Sequence, residues 1–202
     1  MLRTLLAVSA LVFSPLAIAQ QSIDPASTNP GAAHLCPTVG TAAPEFSAKT
    51  RDGIEVNLAD ISGTGGAVIV FSRSLDWCPY CTKQALELKT IADQLDADGW
   101  PLSLITYDSV ATLDTYGAEN KINYTLLSDT DSAMIDAFGL RNTDMTSGSR
   151  FDGIPHPAIV FIGADGNIVG VQKEEGFKDR PPTEGIPQLI SLLNQGVPTE
   201  GE

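Results

Sequence analysis

Cysteine is scarce in this chain, with three in 202 residues. That is too few for a disulfide scaffold, and one must be left over if two pair. Basic residues are also few, 12 against 25 acidic, and the resulting net charge of −13 repels nucleic acid and anionic lipid surfaces. No internal repeat is visible. Beyond the first 19 residues there is no apolar run near the ~20 residues that a bilayer crossing needs.

Residues 1–19 read as an export signal: Arg3 supplies the positive charge, residues 5–18 the apolar stretch, and Ala17-Ile18-Ala19 a small-residue cleavage site. The expectation is a mature protein starting near Gln20, soluble, not inserted in a membrane, and periplasmic or secreted. Residues 20–43 carry Pro25, Pro30, Gly31, Pro37 and Gly40 with little periodicity, so they read as an extended arm. Residues 44–196 form one ordinary domain, and residues 197–202 a flexible tail.

Within the domain, two short alternating runs flank Asp52-Gly53, the pattern of an opening β-hairpin. Residues 67–71 are a continuous apolar run without alternation, as in a strand buried on both faces. Ala85, Leu88, Ile91, Ala92 and Leu95 recur at helical spacing across residues 79–98, with Gly99 placed to cap the helix. A strand over 102–107 completes a βαβ unit, which requires parallel pairing and a right-handed crossover. Helices over 110–121 and 132–138, strands over 124–127, 158–162 and 168–171, and a closing helix over 186–193 follow.

The first strand-to-helix junction reads Trp77-Cys78-Pro79-Tyr80-Cys81. Cys78 falls at the helix N-terminus, where unpaired N–H groups and the helix dipole favour a thiolate over a thiol. Cys81 lies one turn further in, on the same face and more buried. The pair is expected to cycle between dithiol and disulfide, with Cys78 as nucleophile and Cys81 as resolving thiol. Pro79 suits the first helical turn, and Trp77 would give a flat apolar rim beside the sulfur. A bridge serving stability alone gains little from so short a loop. A soft metal bound by both thiolates with His156, His34 or Cys36 is the other alternative, but two cysteines do not complete a tetrahedral site. The expectation is therefore no metal and no cofactor.

A second informative stretch is Gly153-Ile154-Pro155-His156-Pro157. Proline just before a central strand removes a ladder donor, and a cis His156-Pro157 bond would explain it. His156 would then stand near the sulfurs, either tuning them or idle. Asp76 reads as a solvated loop carboxylate. Cys36, in the arm, reads as a free thiol, a second resolving cysteine or an intermolecular partner.

With these residues in view, the chain resembles the thioredoxin-like superfamily and, within it, the redoxin or AhpC-TSA group related to peroxiredoxins. The likeness runs over about residues 38–194: Val39-Gly40-Thr41-Ala42-Ala43-Pro44-Glu45-Phe46 at its start, Leu126-Leu127-Ser128-Asp129 and Phe138-Gly139-Leu140 midway, Asp165-Gly166-Asn167-Ile168 and Arg180-Pro181 later. It implies an α/β, thioredoxin-like fold with a central mixed β-sheet, flanking helices and an N-terminal β-hairpin. It also implies that Cys78 is the reactive cysteine and that Pro157 holds the place of a substrate-facing cis-proline. Peroxiredoxins usually carry a hydroxyl residue three places before the reactive cysteine and a proline seven before; here Leu75 and Phe71 stand there, Ser74 substituting for the hydroxyl only if a one-residue loop shift brings it round, with Arg73 then the cation near the peroxide. The first reading is accordingly a thiol-disulfide oxidoreductase acting on a protein or small-molecule disulfide. The alternative is a thiol-dependent peroxidase restored by an unidentified thiol reductant, and a periplasmic metal-binding or copper-delivery protein comes third.

Overall fold

The computed structural model describes residues 37–174 and 179–196. The expected export signal, most of the expected arm including Cys36, and the expected tail lie outside them. The strands are β1 (Ala48–Thr50), β2 (Glu55–Val56), β3 (Gly66–Phe71), β4 (Leu102–Thr106), β5 (Thr125–Ser128), β6 (Ala158–Gly163) and β7 (Ile168–Lys173). The helices are α1 (Pro79–Lys89), α2 (Ala92–Ala97), α3 (Val110–Asn120), α4 (Ala133–Ala137) and α5 (Ile186–Asn194). One mixed sheet runs β2-β1-β5-β4-β3-β6-β7. Strands β3, β4 and β5 are parallel, while β6 and β1 join them antiparallel and β2 and β7 extend the edges.

Alternate residues of β3 enter two different cores, which is why its sequence shows no polar alternation. Val68 and Val70 face a cluster with Ala85 and Leu88 of α1, Leu95 of α2, Leu113 of α3 and Ile190 of α5. Ile69 and Phe71 face a second cluster with Met134 and Ile135 of α4, Phe138 and Ile61. The expected mixed sheet flanked by helices is what forms. Residues leading into β1 are tied to the β6–β7 turn through Gly40 N to Ile168 O (2.8 Å) and Ala43 N to Gly166 O (2.9 Å).

The helix expected over 79–98 is interrupted at Thr90-Ile91. Thr90 N and Ile91 N each bond three residues back, to Glu87 O (3.0 Å) and Leu88 O (3.1 Å), and the Thr90 hydroxyl also donates to Glu87 O (2.7 Å). Two consecutive β-branched residues, one with a hydroxyl competing for the helix carbonyls, account for the break.

Candidate active site

Strand β3 ends at Phe71 in the middle of the sheet, and residues 72–77 carry the chain from there to α1. A buried carboxylate from the end of β4 organises this loop. Asp108 accepts from the Ser74 hydroxyl (2.7 Å), from Leu75 N (2.7 Å) and from the Thr106 hydroxyl (2.9 Å). Burial raises the Asp108 carboxyl above its usual range and these three donors oppose the rise, with the charge of Asp76 adding to it. The Ser74 hydroxyl also accepts from Asp76 N at 3.1 Å. It is therefore built into the loop rather than presented beside Cys78. Asp76 itself is exposed, in keeping with its expected place as a solvated carboxylate.

Cys78 is the N-cap of α1, with an extended backbone, Pro79 in the first helical turn, and Sγ accepting from Cys81 N at 3.3 Å. Its carbonyl accepts from Thr82 N (3.0 Å), the first full helical bond. Helix geometry thus brings Cys81 back over Cys78. The Cα atoms are 5.2 Å apart, inside the usual disulfide range, and the two sulfurs are bonded. Both are buried, Cys78 retaining 3% exposure and Cys81 none.

The side chain that reaches these sulfurs is one that motif spacing does not single out. Arg180, in the segment leading to α5, directs Nη2 to Cys78 Sγ (3.2 Å) and Cys81 Sγ (3.1 Å). Its Nη1 donates to Asp179 O, and the guanidinium lies 5.9 Å from the Tyr80 ring centroid. Burial above all, and then the positive charge of Arg73, draw Arg180 down to about 10. Arg73 is itself buried and lowered by desolvation. Of these two guanidiniums, Arg180 is the one in contact with the sulfurs, and Arg73 acts on Arg180 through its charge. Arg180 is 102 residues from Cys78 in sequence.

Trp77 is half-buried. Its Nε1 donates to the Tyr107 hydroxyl (2.9 Å), which donates in turn to Arg150 O (2.6 Å). The indole stacks edge-on against Phe151 (5.0 Å between centroids), with Arg150 above it (5.5 Å). The rim beside Cys78 is thus a locked aromatic wall tied to the 150–151 loop.

The His156-Pro157 expectation requires correction, because every described peptide bond is trans, this one included. The ladder between β3 and β6 begins only at Phe71 opposite Ala158, so the missing Pro157 N–H falls outside it. The Pro157 carbonyl accepts from Glu174 N (3.1 Å) and His156 N donates to Leu140 O (2.7 Å). A strand's edge of pairing tolerates proline in the ordinary trans form. The register does set both residues at the sheet end from which the Cys78 loop leaves.

The chain is similar to known proteins over most of its described length. A model of the AhpC/TSA family matches residues 39–171. Peroxiredoxin Bcp of Escherichia coli K12 is 34% identical over 129 residues, covering 64% of this chain and 81% of that protein. A Haemophilus influenzae protein called a peroxiredoxin bcp is 30% identical over 142 residues, covering 70% and 90%. Among solved structures, the peroxidoxin BcpB of Mycobacterium tuberculosis superposes with a TM-score of 0.65 at 19% identity, covering 79% of this chain and 97% of that one. The peroxiredoxin 6 of Arenicola marina superposes at 0.69 with 18% identity, covering 78% and 73%.

Proposed function

Because this chain belongs to the AhpC/TSA family, a family of thiol-dependent enzymes, we propose that it is a thiol peroxidase using Cys78 and Cys81. The observation that carries the reading is the pair of sulfurs at the α1 N-terminus with one guanidinium on both. Relatives called peroxiredoxins support peroxide as the electrophile, ahead of the disulfide favoured on motif spacing alone.

In the cycle, the Cys78 thiolate attacks one oxygen of the peroxide. The O–O bond breaks, Cys78 becomes a sulfenic acid, and the other oxygen leaves as water or an alcohol after taking a proton. Cys81 then attacks the oxidised sulfur, forming the Cys78-Cys81 disulfide and releasing water. A thiol reductant supplies two electrons and two protons to restore both thiols. Arg180 stabilises the anionic sulfur and the charge developing at the O–O bond, with Arg73 adding positive potential. Resolution needs no unfolding of α1, since the resolving sulfur is one helical turn away.

Exchange with a protein disulfide is the second reading. It is favoured by Ser74, whose hydroxyl is committed to Asp108 and leaves no side-chain donor at the place where peroxiredoxins keep one. A direct comparison separates the two: hydrogen peroxide consumption with excess dithiothreitol, beside reduction of insulin disulfides by the same sample. Fast peroxide loss that vanishes in Cys78→Ser supports the peroxidase. Insulin reduction without peroxide loss overturns it in favour of disulfide exchange. The export signal extends the proposal to a protein acting outside the cytoplasm.

A further inference from the structure

In the disulfide state, two N–H donors are directed at sulfurs that can do little with them. Cys78 Sγ faces the Cys81 amide at 3.3 Å and Nη2 of Arg180 at 3.2 Å, and the same Nη2 is 3.1 Å from Cys81 Sγ. A disulfide sulfur is uncharged and a weak acceptor, whereas a thiolate is an anion that a guanidinium meets with a charge-assisted bond. Holding the cation here is meanwhile costly. Burial and the neighbouring charge of Arg73, itself 6% exposed, both press against the charge of Arg180. Of the two states of the cysteine pair, only the reduced one sets an anion where these donors already point. A group shifts such an equilibrium by the difference in its interaction with the two states and by nothing else.

We propose that Arg180 sets the direction of electron flow through Cys78-Cys81: it raises the reduction potential of the pair, so that the disulfide accepts electrons readily and the reduced form is a poor donor to ordinary disulfides. The proposal rests on the peroxidase reading only in taking the same two cysteines as the redox pair. It goes further in naming the residue that favours a peroxide over a disulfide as the electrophile. With Arg180 in place, reduction takes up two electrons and one proton. The S–S bond breaks, Cys81 takes the proton as a thiol, and Cys78 remains a thiolate against Nη2 of Arg180. Two molecules of a monothiol supply the electrons, join as their own disulfide, and release the second proton to solvent. In reverse, the same step withdraws the anion from the guanidinium. A structural disulfide, with a potential well below that of the glutathione pool, does not drive that withdrawal, while cleavage of the weak O–O bond of a peroxide does.

The test is a redox equilibrium of the full chain, without peroxide. Wild type and variants are equilibrated in graded mixtures of reduced and oxidised glutathione at neutral pH, free thiols are alkylated, and the reduced fraction of Cys78 and Cys81 is read by peptide mass spectrometry. Arg180→Met is expected to move the equilibrium constant about tenfold toward the disulfide, a potential about 30 mV more negative. Arg180→Lys keeps the charge and falls between that value and the wild type. Arg51→Met removes a guanidinium from a separate hollow beside α2 and stays within twofold of the wild type. A potential in Arg180→Met equal to or above that of the wild type, or an equal shift in Arg51→Met, overturns the proposal. Should Arg180→Met fail to unfold cooperatively in urea, Arg180→Lys decides: a potential below that of the wild type supports the proposal and an equal one overturns it. Failure to consume peroxide would sink the catalytic cycle without moving these potentials, so the two failures are distinguishable.

Discussion

A free cysteine is mostly protonated at neutral pH, and Cys78 meets two influences that oppose this: the N-terminal N–H groups of α1 and the Arg180 guanidinium. A charge-assisted hydrogen bond is worth about 1.5–3 kcal/mol, so removing it has a measurable consequence. In a Cys81→Ser background, Arg180→Met should raise the Cys78 pKa and slow the reaction with peroxide about tenfold to hundredfold. Arg180→Lys should recover part of both, because the charge remains while the Nη2 donor directed at Cys78 Sγ is lost. Thiolate absorbance against pH reads the first effect and stopped-flow kinetics the second. Unchanged values in Arg180→Met would remove the guanidinium from the chemistry.

Asp108 makes a separate prediction at this scale. Its folded pKa is raised from an ordinary 3.8, so the native state holds this proton more tightly than the unfolded chain. The associated stability is fully present below about 3.8 and is lost as pH rises through the folded value. The stability of the wild type relative to Asp108→Asn should therefore decline with pH over that window, as urea unfolding at several pH values can show. A difference that grows with pH would contradict the direction. Cys78 and Cys81 were legible because their whole logic is local, within one turn. Asp108 and the place of Arg180 at the sulfurs were not, because Arg180-Pro181 entered only as part of the family likeness and a lone Asp after a strand or an Arg before a helix has no pattern of its own until the sheet folds.

At the scale of elements, β3 and α1 hold the site in place. Leu88 of α1 is fully buried in the core that also receives Val68, Val70 and Cys81. Leu88→Ala should cost about 2–5 kcal/mol, read as a lower urea midpoint with little change in m-value. At the start of β3, Gly66 has φ +140° and a Cβ there would run into Ile162 O of the neighbouring strand. Most elements were legible because their patterns are strong: a doubly buried β-branched run, a helical apolar stripe, a turn at Asp165-Gly166. The break between α1 and α2 was hidden inside one continuous apolar stripe, since periodicity records which face is buried and not whether the axis continues. The proline before β6 misled for a related reason, as sequence alone does not reveal where ladder pairing begins.

At the scale of the whole molecule, two cores on opposite faces of a seven-stranded sheet carry the fold, and in the proposed cycle the disulfide beyond the end of β3 serves as chemistry rather than as a brace. Its loop is so short that the entropy it removes from the unfolded chain is worth only about 2 kcal/mol. A Cys78→Ser/Cys81→Ser variant should thus unfold cooperatively and lose no more than about that amount, by urea denaturation against the oxidised protein. Loss of cooperative unfolding would mean that the pair is structural. The negative charge of the chain was readable from composition, but which carboxylates end up buried, Asp108 and Asp129 among the described residues, depends on the folded sheet.

The most direct measurement is a single turnover. Fully reduced Cys81→Ser protein is mixed with one equivalent of hydrogen peroxide, quenched with a sulfenic-acid trap and mapped by mass spectrometry. The proposed cycle predicts one oxygen on Cys78, formed in a fast second-order step, and in the wild type a Cys78-Cys81 disulfide instead. No oxygen on Cys78, or oxidation as slow as that of a free thiol, would contradict it.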